Sequence, residues 1–264
     1  MDKWKSIVAI VLLLYLLAAA LLYLFQDRLV FHPEKLSTAY AFHFPEAFRE
    51  FNIPLDDTSS LNAVLFKAPA AKGIVLYFHG NTGNINSYAK YVPMLLKEGY
   101  DVLMPDYRTY GKSSGALSEQ ALYDDAYTMY QLACRYFDKD SIVLYGKSLG
   151  TCIAASLAAK EPCKALVLEC PYYSFDLLAK RYFFLFPVNW LLKYHLPTYR
   201  YLQKVSAPVL LIHGQKDQVI PYRQASRLKQ VLKPGDQFLT IPEGGHNNLT
   251  TFPQYQAALH ALLQ

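Results

Sequence analysis

The chain has 264 residues, 53% of them apolar, which is enough for one large α/β domain with a sizeable core and excludes disorder. A formal net charge of +5, spread without long Lys/Arg runs, argues against nucleic-acid binding and leaves only a weak pull toward anionic membrane surfaces. The 22 Tyr and 15 Phe suit a protein at a lipid interface or one gripping an apolar substrate, and equally an aromatic core.

Residues 6–26 carry no charge, and Ile7 to Phe25 is almost continuously apolar. At about 1.5 Å per helical residue this run nearly matches the roughly 30 Å hydrocarbon core of a bilayer. Lys3 and Lys5 precede it, with Trp4 between them as an interfacial anchor, so residues 1–26 read as a transmembrane signal-anchor helix. Ala18-Ala19-Ala20 also resembles a signal-peptide cleavage site, but the run continues through Leu21, Leu22, Leu24 and Phe25, where a mature terminus should turn polar. Lys3 and Lys5 place the start on the cytoplasmic side and residues 27–264 on the other, a bias that Arg28 and Lys35 oppose. Such a helix is expected to share no core with the domain that follows.

Beyond a connecting stretch punctuated by Pro33 and Pro45, short apolar runs alternate with helical patterns. Strands are predicted at 74–78, 102–104, 142–145, 165–168, 209–212 and 238–241. Runs of this kind, β-branched and without alternation, fit strands buried on both faces of a parallel sheet. Two earlier strands, near 51–54 and 63–67, are expected to form an antiparallel edge. A helix is predicted over 118–137, where Tyr123, Tyr127, Tyr130, Cys134 and Phe137 recur every three or four residues. The alternation implies a doubly wound, mostly parallel sheet. About 40 residues separate the strands at 165–168 and 209–212, far more than a crossover needs. That stretch, 172–205, reads as a small helical cap over the carboxyl ends of the strands. Its Tyr182, Phe183, Phe184, Leu185, Phe186 and Trp190 are too many large apolar groups for an insertion with a solvated outer face. Some are expected on the sheet, the rest in a channel above the site or in the bilayer. Cys134, Cys152, Cys163 and Cys170 show no CxxC pair and no metal-ligand spacing. Free buried thiols are the default reading, with one disulfide open if the domain faces an oxidising compartment.

Gly146-Lys147-Ser148-Leu149-Gly150 matches G-x-S-x-G and follows a predicted strand directly, with small, helix-permissive residues after it. This is the context of a nucleophile elbow, where glycines on both sides of a strained serine let helix and strand pack closely. Two GKS sequences, at 111–113 and 146–148, resemble phosphate-binding loops, but the first glycine of such a loop is replaced by Asp106 and Ser141. A serine needs a base, and the base an orienting carboxylate, in the chain order Ser, acid, His for this elbow. Asp217 and His246 arrive in that order, each just past the carboxyl end of a predicted strand. Glu169 is the fallback acid, and Asp106, preceding the nucleophile, reads as a loop-fixing residue. The backbone N–H groups of Leu149 and of Asn81, in the loop His79-Gly80-Asn81-Thr82-Gly83-Asn84, are the candidate oxyanion donors. His79 is read as pinning that loop.

With these residues in place the chain resembles the Bem46-like branch of the α/β-hydrolases, the membrane-associated α/β-hydrolase domain-containing 13 and 17 types. The resemblance rests on residues 26–33, 78–84, 106–113, 146–150, 213–221 and 245–246, which span almost the whole chain. It implies an eight-stranded α/β-hydrolase fold and catalysis by Ser148, Asp217 and His246, without metal or cofactor. Thr109 departs from the family pattern, which more often has Gly there. The expected activity is hydrolysis of esters or thioesters of small-molecule or lipid acyl substrates at a membrane. A peptidase or amidase with the same triad and a non-catalytic tethered scaffold are the alternatives.

Overall fold

The computed structural model describes residues 2–264. It opens with a long helix, α1 (Asp2–Val30), whose stretch Lys3–Val30 has a mean hydropathy of 2.9 in its most apolar window and leaves that window unburied by protein. Then follow β1 (His32–Pro33), β2 (Phe48–Pro54), β3 (Ser60–Phe66), β4 (Gly73–Phe78), β5 (Thr82–Gly83), α2 (Ile85–Tyr88) and α3 (Val92–Lys97). The middle of the chain is β6 (Tyr100–Pro105), α4 (Glu119–Ala133), β7 (Ile142–Lys147), α5 (Gly150–Ala158) and β8 (Ala165–Glu169). The cap supplies α6 (Phe175–Tyr182), α7 (Val188–Leu191) and α8 (Thr198–Leu202). The chain closes with β9 (Val209–Gly214), α9 (Tyr222–Ser226), β10 (Gln237–Ile241) and α10 (Pro253–Leu263).

Among the described residues eight strands form one sheet in the order β10-β9-β8-β7-β4-β6-β3-β2. Pairing is parallel from β10 through β6 and antiparallel only at β3 and β2, as the sequence pattern predicts. Period-2 geometry sends Ile74, Leu76 and Phe78 of β4 into one hydrophobic layer, with α4 and α5, and Val75 and Tyr77 into the other, with α3 and α10. The edge position of β10 explains why it stays half-exposed where full burial was expected. α4 starts where Ser118 accepts the Ala121 N–H at 3.0 Å and ends at Ala133, short of the predicted 137. Its Tyr127 is exposed at the rim of the face that buries Tyr123 and Tyr130.

The expectation that α1 is independent of the domain fails at its carboxyl end. The helix continues past Gln26 to Val30, because Gln26 is buried and satisfied rather than leading into a linker. Its Nε2 donates to the carbonyls of Tyr23 (3.1 Å) and Leu191 (3.0 Å), and its Oε1 accepts the Lys193 N–H at 2.8 Å. Asn81 Nδ2 then donates to the Val30 carbonyl at 2.8 Å, taking up one of the carbonyls a helix end leaves open. Phe31 enters the core directly, and β1 pairs in parallel with β5.

The loop after β6 buttresses the loop after β4. Tyr107 and Tyr110 donate their hydroxyls to the carbonyls of His79 (2.6 Å) and Asn81 (2.7 Å). Asp106 Oδ1 accepts the Ile85 N–H at 3.0 Å and lies 3.2 Å from His79 Nε2. Within this loop Thr109 holds φ 74°, a region that a β-branched side chain resists. That conformation explains the glycine the family pattern favours there. Thr109→Gly should therefore stabilise the fold by about 1 kcal/mol, strain relief outweighing the added chain entropy. The check is a denaturation midpoint that rises at unchanged slope, and a lower midpoint would show that contacts of the threonine side chain outweigh its strain.

Candidate active site

Ser148 sits between the end of β7 and the start of α5 with φ 52°, a left-handed conformation rare for a residue with a side chain. Its N–H donates to the Glu169 carbonyl at 2.9 Å, and its carbonyl accepts from the Thr151 N–H and hydroxyl. A Cβ at Gly146 would overlap the backbone of Gly150, and one at Gly150 would overlap the Phe78 carbonyl. Both glycines of the motif are thus required for α5 to lie against β4 and β7.

Asp217 and His246 come from the loops after β9 and β10, neighbouring parallel strands whose carboxyl ends lie side by side. The loops are zipped together: Lys216 N–H donates to the Gly244 carbonyl at 2.9 Å, and a Cβ at Gly214 would strike the Gly244 backbone. Asp217 Oδ1 accepts the N–H groups of Val219 and Ile220, both at 2.8 Å, and Oδ2 pairs with His246 Nδ1 at 2.7 Å. Burial alone would raise the Asp217 carboxyl, but the hydrogen bond and charge of His246, with the Ile220 amide and His213, hold it below its ordinary value. Paired with this carboxylate, Nδ1 carries the proton, which leaves Nε2 as the acceptor.

Glu169, the fallback acid, is committed elsewhere. It lies opposite Lys147 in the β7–β8 register, forms an ion pair with the Lys147 ammonium and accepts from the hydroxyls of Tyr145 and Tyr255. Burial would raise this carboxyl, and the Lys147 charge reverses that, so Glu169 is held low. Lys147 Nζ also donates to the His246 carbonyl at 3.0 Å, tying the elbow to the histidine loop. Sequence reasoning passed over Lys147 as the variable residue of the motif. The signal was Tyr145 and Lys147 at strand spacing, with an acid in register on the next strand.

Neither the Asn81 nor the Leu149 backbone N–H donates to another protein group among the described residues, so both remain available to a ligand. With Ser148 they line a cavity of about 470 Å³ whose other walls are almost wholly apolar. Of the six large cap residues singled out in the sequence, Tyr182, Phe183 and Phe186 line it, whereas Trp190 is 87% exposed and outside it. The channel role that the sequence allowed Trp190 therefore does not hold. Cys170 lies with Asp217 and His246, the possible ligand atoms of the three within 4.8 Å of one another. Burial pushes the Cys170 thiol well up, so without a bound ion the trio is an acid–imidazole pair beside a neutral thiol. That thiol donates to the His246 carbonyl at 3.5 Å.

A family profile described as alpha/beta hydrolase fold matches residues 73–194. An uncharacterized protein of Mycobacterium tuberculosis is 31% identical over 229 residues, 84% of this chain and 81% of its own length. Alpha/beta hydrolase domain-containing protein 17C of Mus musculus is 30% identical over 196 residues, 71% of this chain and 58% of that protein. Among solved structures, a Pyrococcus furiosus esterase superposes with a TM-score of 0.69 over 89% of this chain and 97% of its own, at 18% identity, a likeness of fold. The sheet order, the glycine-flanked elbow and these matches agree, and the chain belongs to the alpha/beta hydrolase family.

Proposed function

We propose that the chain is a membrane-anchored serine hydrolase that cleaves carboxylic esters or thioesters of acyl-bearing substrates. The observation that carries this reading is Ser148 in a glycine-flanked, left-handed turn on the wall of an apolar cavity, together with an Asp217–His246 pair held on the loops after β9 and β10. In this mechanism Ser148 Oγ attacks the acyl carbonyl carbon while its proton passes to His246 Nε2, and Asp217 stabilises the imidazolium. The Asn81 and Leu149 N–H groups receive the oxyanion. Collapse breaks the acyl–oxygen or acyl–sulfur bond, and the leaving group departs with the proton from His246. Water then attacks the acyl-enzyme, giving its proton to His246, and the carboxylic acid leaves as Ser148 recovers its hydrogen. α1 would hold the domain at the membrane, with Lys3 and Lys5 on the cytoplasmic side and the hydrolase domain on the other.

Ser148→Ala, Asp217→Asn and His246→Ala should each lower kcat by about 10³-fold or more with folding intact. A fluorophosphonate probe should label Ser148 in the wild type. Silence in folded protein would favour a non-catalytic scaffold, and near-normal turnover of Asp217→Asn would move the acid role to another carboxylate.

The pH profile has a definite sign. Because the Asp217 carboxyl is held low, it stays ionised as pH falls through the ordinary carboxylate range, and protonation of the imidazole is the event that removes the base. kcat/KM should therefore fall on acidification with a slope of one proton. A second proton in that limb, or an acid-independent rate, would contradict a histidine base held by an ionised aspartate.

Acyl length should also matter. Burying a methylene in the apolar cavity is worth about 0.8 kcal/mol, nearly fourfold per carbon. kcat/KM for p-nitrophenyl esters should climb from acetyl upward and level off where the cavity ends, and Phe183→Ala should flatten the climb. A preference for acetyl esters that this variant leaves intact would favour a small-ester or peptidase function.

A further inference from the structure

The cavity above Ser148 is not built by the hydrolase domain alone. Leu22, Gln26, Leu29 and Val30 of α1 form one wall, facing Phe183 and Phe186 of the cap. Tyr15, Leu22, Gln26 and Val30 fall at i, i+7, i+11 and i+15, close to whole turns, so they make a single stripe along the helix. The cap runs beside this stripe. The Tyr15 ring stacks on Phe186 with centroids 5.0 Å apart, and its hydroxyl donates to the Leu185 carbonyl at 3.0 Å. One end of the contact is Tyr15 and the other is Gln26 on Leu191, a separation of about 16 Å along the helix, or roughly half the hydrocarbon thickness. Charged Asp27 and Arg28 follow Gln26 and set that end at the interface. Residues 184–191 then lie at the depth of one leaflet, where Phe184, Leu185 and Trp190, 76%, 70% and 87% exposed in the protein, have an apolar environment.

We infer that the cavity opens sideways between α1 and the cap into one leaflet, and that it takes the acyl chain of a bilayer-resident lipid ester directly from the membrane, the chain lying along the Leu22–Val30 face of α1. This rests on the serine-hydrolase reading and adds the source and path of the substrate. The membrane helix is, on this inference, a specificity-determining wall of the site as well as a tether. Its apolar stripe replaces one side of the cap that a soluble hydrolase would need to enclose a long chain.

The test uses the full chain in phosphatidylcholine vesicles with a long-chain alkyl fluorophosphonate carrying a terminal diazirine. After labelling and irradiation, Ser148 should carry the phosphonyl adduct and the tail should cross-link to α1. An adduct on Ser148 with cross-links that spare α1 overturns the inference and leaves the hydrolase reading standing. No adduct in folded protein overturns the hydrolase reading and the inference with it. Cross-links to α1 that form from probe in solution but not from vesicles also overturn it, assigning the groove to a water-borne acyl group. Independently, Leu22→Trp and Leu29→Trp should lower the ratio of palmitoyl to acetyl ester kcat/KM by about tenfold or more, as two displaced methylenes would. A ratio unchanged in both variants counts against the α1 wall even where absolute rates drop.

Discussion

Ser148 can keep a left-handed backbone only because α5 is pressed against β4 and β7 at a distance that no side chain at position 146 or 150 would allow. That constraint orders the rest of the site. It turns the serine out of the strand and toward the cavity, leaves the Leu149 amide free at the head of α5, and brings the Lys147 side chain into the layer beneath. There the ammonium meets Glu169 and the His246 carbonyl, so the strained turn and the histidine loop share one buried cation. Burial would lower Lys147 and raise Glu169; the attraction between them reverses both. The sign of the linkage follows for each. Lys147, raised in the fold, contributes below about pH 10.4 and loses its contribution as pH climbs through its folded value. Glu169, depressed in the fold, contributes above about pH 4.3 and loses its contribution as pH falls through its folded value. Around neutrality both charges are in place. Removing either partner would strand the other in the interior, at a cost of about 3–5 kcal/mol.

Local signals carried most of the architecture. The strands at Ile74, Val102, Ile142, Ala165 and Val209 were readable because a parallel strand buried on both faces has few polar residues to dilute its run. The elbow was readable because its glycines answer a steric demand within five residues. Asp217 and His246 were readable because the carboxyl ends of neighbouring strands gather the loops that follow them, and the structure brings that pair to 2.7 Å. What stayed hidden depends on contacts far apart in sequence. Gln26 looked like the polar end of an anchor, and its meaning lies in Leu191 and Lys193, more than 160 residues away. Glu169 looked like a spare acid until its register with Lys147 placed it under the elbow. Trp190 could not be assigned a face from sequence, since a four-residue helix gives no periodicity to read.

Two polar side chains of α1, Gln26 and Tyr15, carry a similar lesson about energy. A glutamine in a spanning helix is expensive when its amide meets hydrocarbon, and inexpensive when protein groups satisfy it. All the polar atoms of the Gln26 amide are engaged with backbone, two of three contacts coming from the cap. Tyr15, three turns away on the same face, spends its hydroxyl the same way on Leu185. Between them Ala18 and Ala19 are partly covered, small residues where the cap passes close to the helix. Two of the three alanines that resemble a cleavage site, Ala18 and Ala19, are thus partly covered, and Ala20 is exposed.

A tether that serves only to localise a domain needs apolarity and length, and its rotation about its own axis is free. α1 has a fixed phase. Tyr15 and Gln26 set which face meets the cap, and the Asn81 side-chain amide closes the carbonyl of Val30, so the helix end is bonded to the loop that carries one of the two candidate oxyanion donors. Phe31 is 4% exposed in the core immediately afterwards, and His32 N–H donates to the Asn81 carbonyl at 2.9 Å. The residues that leave the helix are thus bonded directly to the Asn81 loop. The placement of the apolar helix relative to Ser148 is consequently set by packing and hydrogen bonds, the same contacts that complete one wall of the cavity.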